Sequence, residues 1–327
     1  MYEKSVELPD ISQESTLEGD LDKSVGEAAL STSVKFAWLE ITGKCQLECV
    51  HCYADSSPQG EHGNLTHDQW KQSIDQVRGL GGEMVQFIGG EPLLHPSLPS
   101  LIEHARSKEL EVEIYSNLSF VSGSMWNTLT QDGVSLATSY YSPDAAEHDS
   151  VTQNRGSHKR TRANIVEAIE RGIPIRAGII GVQEGQQVEA AYEELTDLGV
   201  QHIGVDYLRQ VGRGVRTLEP SVDELCGNCG HGVIAILGNG AVQPCVFSRW
   251  GEFTVGNVQE KPLAEILASP RAHEVQKELD DAFDRSPTAC RPSCDPNCKP
   301  AAGDPCPPEC PPRGLPTPFS RPKPVSV

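Results

Sequence analysis

A chain of 327 residues, 37% of them hydrophobic, is long enough to bury one large core beside a smaller module. No run approaches the roughly 18 uninterrupted apolar residues of a membrane span. The opening MYEKSVELPD lacks the basic-then-apolar pattern of a secretory signal, so a cytoplasmic protein without a membrane partner is expected. A formal charge of −19 argues against nucleic acid, whose phosphates need clustered Lys and Arg, and favours neutral or cationic substrates.

Residues 1–33 carry eight acidic and two basic side chains with no apolar period, which reads as a disordered acidic arm. Alternation then begins. A strand is expected at 34–41 (VKFAWLEI), followed by a helix opened by the capping box of Thr66 and Gln69, with Trp70, Ile74, Val77 and Leu80 on one face. Strands are expected at 84–88, 111–116, 135–139, 173–180 and 202–208. Helices are expected between them at 97–108, 123–131, 158–171 and 186–198. Strand alternating with helix at this spacing means parallel pairing through right-handed crossovers. Six such units make a partial barrel or an open doubly wound sheet, and periodicity alone does not separate the two. Either way, chemistry is expected in the loops at the carboxyl ends of the strands.

Past residue 215 cysteine, glycine and proline dominate, with helices expected only at 262–268 and about 271–283. Such a module has little apolar sequence for a core and should fold around metal or clusters. The last seventeen residues hold six prolines and read as an extended tail, 311–327.

The eleven cysteines are unevenly placed: three within eight residues near position 50, eight between 226 and 310, and none in the 173 residues between. In a reducing compartment that distribution points to metal or cluster ligation rather than disulfides. Cys45-Gln-Leu-Glu-Cys49-Val-His-Cys52 directly follows the first strand. Three thiolates on one loop can hold three corners of a cubane cluster and leave one iron open to a small chelating ligand. Zinc competes for such thiolates, but structural zinc takes four ligands, and His51 beside Cys52 is poorly placed to be the fourth.

At these residues the sequence resembles the radical S-adenosylmethionine superfamily, whose signature is C-x3-C-x2-C in this loop; the resemblance spans roughly 34–310. It implies a partial (β/α)6 TIM-like barrel, α/β in class, over 34–215. It also implies a 4Fe–4S cluster on Cys45, Cys49 and Cys52, with S-adenosylmethionine chelating the fourth iron. Reduction by an electron donor such as flavodoxin or ferredoxin would then yield a 5′-deoxyadenosyl radical that removes a substrate hydrogen. Gly89-Gly90-Glu91-Pro92 resembles the family's GGEP motif, which contacts the methionine ammonium. Ser116-Asn117 stands where the family binds ribose. Ala177-Gly-Ile179-Ile-Gly181-Val-Gln-Glu184 resembles an adenine-flanking pattern, with Ala177 in place of its first glycine. Arg176 and Arg209 are candidates for the cofactor carboxylate, or for structural pairing.

Cys226, Cys229, Gly240 and Cys245, then Cys290, Cys294, Cys298, Cys306 and Cys310, resemble the SPASM extension of peptide-modifying radical enzymes, a small cysteine-rich iron–sulfur module placed at 216–310. It implies two auxiliary 4Fe–4S clusters. By order along the chain one is held by Cys226, Cys229, Cys245 and Cys306, the other by Cys290, Cys294, Cys298 and Cys310. The later spacings depart from the usual pattern, so two zinc sites, or one cysteine left free as a hydrogen donor, stay open. Tyr140, Tyr141, His148, Asp149 and Arg155 follow the fourth strand in a stretch that, by the resemblance, faces the substrate. The expected function is modification of a ribosomally made peptide, although the 33-residue arm is too short for the leader-binding domain many such enzymes carry. Alternatives are action on a small aminocyclitol or sugar, and a non-catalytic iron–sulfur or zinc scaffold.

Overall fold

A computed structural model of the chain describes residues 33–216, 222–225, 227–249 and 251–283. The acidic arm and the proline-rich tail lie outside them. Six parallel strands alternate with helices: β1 (Phe36–Thr42), α1 (His67–Gly79), β2 (Met84–Gly89), α2 (Leu98–Ser107), β3 (Glu111–Tyr115), α3 (Gly123–Leu129) and β4 (Val134–Tyr140). Two helices, α4 (Ala145–Thr152) and α5 (Ser157–Glu170), precede β5 (Ile175–Gly181), α6 (Val188–Asp197) and β6 (His202–Tyr207). The expected elements are present within about two residues; α4 is additional. Its Ala-Ala-Glu-His-Asp-Ser-Val-Thr has no apolar stripe, and its start is set by Asp144, whose carboxylate accepts from Glu147 N–H.

Strand order decides between the two architectures left open by periodicity. The strands lie in the sequence β6-β5-β4-β3-β2-β1 without reversal. Consecutive right-handed crossovers in one direction put every helix on the same face, so the sheet curls into a partial barrel. The helix-side face is apolar: Leu39, Ile41, Val85, Phe87, Val112, Ile114 and Leu136 join Trp70, Ile74, Leu101 and Ile102 in the core. Each such fully buried side chain contributes roughly 1.5–3 kcal/mol. The concave face is polar. Gln86 stands beside Glu113 in register and donates to it, and Arg176 reaches from β5 past the small Ala137 to clasp Glu113 with two 2.8 Å bonds.

The segment beyond 215 departs from expectation. Strands β7 (Val233–Ile236), β8 (Ala241–Gln243) and β9 (Gly256–Asn257) continue the same nine-stranded sheet, β7 pairing parallel with β1. Helices α7 (Leu263–Leu267) and α8 (Pro270–Ala282) follow. Ile234, Ile236, Val242, Leu263, Ile266, Val275 and Leu279 belong to the barrel's own hydrophobic cluster. The described part of the module therefore borrows the barrel's core. Among the described residues no helix is long and apolar enough to cross a membrane.

Candidate active site

The loop after β1 carries Cys45, Cys49 and Cys52 and is tied down along its length. Cys45 N–H donates to Ser57 O (3.0 Å), Glu48 N–H to Thr152 O (3.2 Å) and Val50 N–H to Val151 O (3.0 Å), which fastens the loop to α4. Cys45 Sγ accepts from Leu47 N–H and Asn117 Nδ2, and Cys52 Sγ accepts from Ser56 N–H. None of the three is in a disulfide. Among the described residues no three Cys, His, Asp or Glu side chains close on a single metal ion. Burial, reinforced by the neighbouring thiols, pushes Cys45 up to about 12 and Cys49 higher still. Thiolates in such a place need compensating positive charge, which iron supplies, and N–H···S bonds of this kind are the usual tuning groups of cluster sulfurs. The donor set fits a 4Fe–4S cluster.

The exit of β2 is pressed against this loop. Gly90 N–H donates to Thr42 O (2.7 Å) and Glu91 N–H to Lys44 O (2.9 Å). A Cβ on Gly90 would lie 2.3 Å from Lys44 O and 3.1 Å from Cys45 Cβ, and Gly89 holds φ at +139°. Only glycine permits that approach. Glu91 is wholly buried, one oxygen accepting from Leu93 N–H (3.0 Å) and the other from Asn117 N–H (2.9 Å). Burial raises its pKa to about 7. Its carboxylate thus struts β2 to β3. Pro92 starts the single turn that follows. Ser116 is buried, while Asn117 links β3 to the cysteine loop through Cys45 Sγ and Gln46.

Several expected contacts fall elsewhere. Arg176 is engaged by Glu113, and Arg209 by Asp206 and the Glu224 carbonyl, so both make the structural pairing. Ile179 is buried in register with Tyr140, on the helix side. Tyr140 itself points away from the concave face. Its hydroxyl donates to Glu194 of α6 (2.6 Å) and lies 2.8 Å from His158 Nε2. Asp149 accepts from Gly156 N–H, Ser157 Oγ and His158 N–H, which makes it the cap of α5 rather than a group facing substrate. His148 is buried among Tyr140, Tyr141 and His158. Only Tyr141 reaches the cysteine loop, its ring edge-on to His51 at 5.1 Å.

The structure adds residues that sequence reading missed. Arg213, after β6, donates to Cys49 O (2.9 Å), Asp55 (2.8 Å) and Ser56 O (2.6 Å), and its own N–H to Cys52 O. The Gly-Arg-Gly at 212–214 was the available signal: a Cβ on Gly212 would meet Cys52 O at 2.4 Å. Next to Cys52, Tyr53 packs edge-on against Phe247 at 5.3 Å, and its buried hydroxyl has no partner among the described residues. Arg249 pairs with Glu40 across the same corner. Phe247 N–H donates to the Sγ of buried Cys245, which brings that loop beside the first cluster loop; Cys229 is also buried. Cys226, Cys290, Cys294, Cys298, Cys306 and Cys310 lie outside the described residues.

The sequence model of the radical SAM superfamily matches residues 39–212, over half of the chain. The chain belongs to the radical SAM superfamily. A second match, to the SPASM iron–sulfur cluster-binding domain, covers 226–299 and leaves Cys306 and Cys310 beyond it. Members of this superfamily are enzymes that take a 4Fe–4S cluster and S-adenosylmethionine, and the SPASM domain brings auxiliary clusters. This radical SAM chain is 24% identical to the antilisterial bacteriocin subtilosin biosynthesis protein AlbA of Bacillus subtilis, over 73% of its own length and 60% of that protein's. It is 30% identical to the PqqA peptide cyclase of Xanthomonas campestris over 57% and 51%, and 28% identical to the AdoMet-dependent heme synthase of Methanosarcina barkeri over 57% and 53%. The chain thus spans between half and three fifths of these relatives. In fold it is similar to Streptococcus suis SuiB bound to the precursor peptide SuiA, with TM-score 0.63 and 14% identity over 74% of this chain and 66% of that one.

Proposed function

We propose that this radical SAM enzyme abstracts a hydrogen atom from a ribosomally made peptide. The observation that carries the reading is the three-cysteine loop seated directly on the Gly89–Gly90 backbone. When bound, the cluster and S-adenosylmethionine supply a 5′-deoxyadenosyl radical by one-electron cleavage. The chain's own residues do the rest. Cys45, Cys49 and Cys52 hold the irons; Gly89 and Gly90 let the backbone come close; Asn117 and Arg213 fix the loop against movement. The buried Glu113–Arg176 pair keeps the concave wall polar yet internally satisfied, a role in specificity rather than net stability.

A peptide substrate is favoured by AlbA, whose match extends over 274 residues and so runs into the cysteine-rich segment, and by the PqqA peptide cyclase. The heme synthase relative favours a small-molecule substrate instead. Anaerobic turnover decides between them. Reconstituted enzyme with S-adenosylmethionine, reductant and a candidate precursor peptide should release 5′-deoxyadenosine and change the peptide's mass or its α-carbon configuration. Deoxyadenosine formed only with a small molecule would overturn the peptide reading.

A further inference from the structure

The chemistry proposed above needs an electron from outside the chain, and the following rests on that reading. The cysteine loop, 44–56, meets two further segments, 145–162 and 209–216. Together the three hold eight of the 27 Lys and Arg but only four of the 46 Asp and Glu. They are stitched into one strip. Arg216 Nη2 donates to Val50 O (3.2 Å), Asn154 Nδ2 to Gln46 O (3.2 Å) and Arg160 Nη2 to Asn154 Oδ1 (2.6 Å). Arg155, Lys159, Arg160 and Arg216 are exposed, and none pairs with a carboxylate of the described residues. Elsewhere on the surface Arg78, Arg106 and Arg171 all do. Of the strip's acids, Asp55 is held by Arg213, Asp149 caps α5 and Glu147 accepts from Gln187 N–H, which leaves Glu48.

We propose that Arg155, Lys159, Arg160 and Arg216 form the docking surface for an acidic protein that carries single electrons. A chain of −19 repels such a partner everywhere except where its field is locally reversed, and complementary charge sets encounter rate and orientation. The patch borders the peptide units of Cys49 and Cys52, which Arg213 grips, so a docked donor stands next to the cluster's ligands. In the transfer the donor loses one electron and the cluster gains one; no proton or bond is exchanged.

The test uses the anaerobically reconstituted full chain and reduced flavodoxin, following cluster bleaching by stopped flow. The parent should slow as salt rises from about 0.05 to about 0.5 M. Lys159→Glu/Arg160→Glu should be about 10-fold slower at low salt and converge with the parent at high salt. Arg216→Glu should act in the same direction. Reduced methyl viologen, a small cation, should reduce the variants no more slowly than the parent, which shows the cluster intact. An unchanged flavodoxin rate overturns the proposal, and an unchanged rate with weakened precursor-peptide binding reassigns the patch to the peptide. If methyl viologen fails to reduce even the parent, the radical reading itself falls and this proposal with it.

Discussion

Replacing Gly90 with Ala puts one methyl group where the structure has no room. The added carbon would sit 2.3 Å from Lys44 O and 3.1 Å from Cys45 Cβ, against 3.4 Å or more in ordinary contact. The Lys44 carbonyl must retreat by about 1 Å, and it is the acceptor for Glu91 N–H. Overpacking of about 1–3 kcal/mol, with one weakened backbone hydrogen bond of about 1 kcal/mol, gives a loss of about 2–4 kcal/mol. A thermal midpoint lower by roughly 3–6 °C follows. The same displacement moves Cys45, so iron retained per chain after anaerobic reconstitution should fall as well. Gly123→Ala is the control: a Cβ there meets nothing within 4 Å, and it should be neutral or slightly stabilising. A Gly90→Ala protein that melts with its parent and holds the same iron would refute the close-packed account of this motif.

Asp149→Ala should cost about 1–2 kcal/mol of stability by removing the α5 cap, with S-adenosylmethionine affinity unchanged; urea melts and equilibrium dialysis measure the two. Burial holds His148 at about 4, below its ordinary 6.5, so the unfolded chain takes up the proton first as pH falls. Stability linked to this group is whole above about pH 6.5 and declines toward pH 4, and His148→Phe should remove about 2 kcal/mol of the acid loss measured at pH 5. Reconstituted parent should carry about twelve irons, and the Cys45/Cys49/Cys52 triple Ala variant about eight, since each cubane holds four. A parent with four would remove the auxiliary clusters.

Much of the barrel was legible because its strands show an apolar face to the helices, and runs such as Val85–Ile88 declare themselves. Strand order was not, since right-handed crossovers allow two orders from one alternation. Helix α4 hid behind its lack of a stripe, although Asp144 and Glu147 form a capping pattern. The hairpin β7–β8 hid inside a glycine- and cysteine-rich composition, although VIAIL and AVQ flank a Gly-Asn-Gly turn. In the site, Cys45–Cys52 and Gly89–Pro92 were readable because each motif is contiguous. The alternation of β4 held more than was taken from it: Leu136, Thr138 and Tyr140 share the helix-side parity, which separates Tyr140 from Tyr141. Arg213, Tyr53 and Arg249 act through neighbours distant in sequence, and only folding brings those together.

The pairing of β7 with β1 has a consequence for how this protein can be cut. β1 is the first strand of the barrel, and its second neighbour is synthesised some 200 residues later. A fragment ending after β6 would leave β1 as a bare edge, its backbone donors and acceptors open to any passing strand. Such a fragment should self-associate, whereas in the full chain β7 covers that edge.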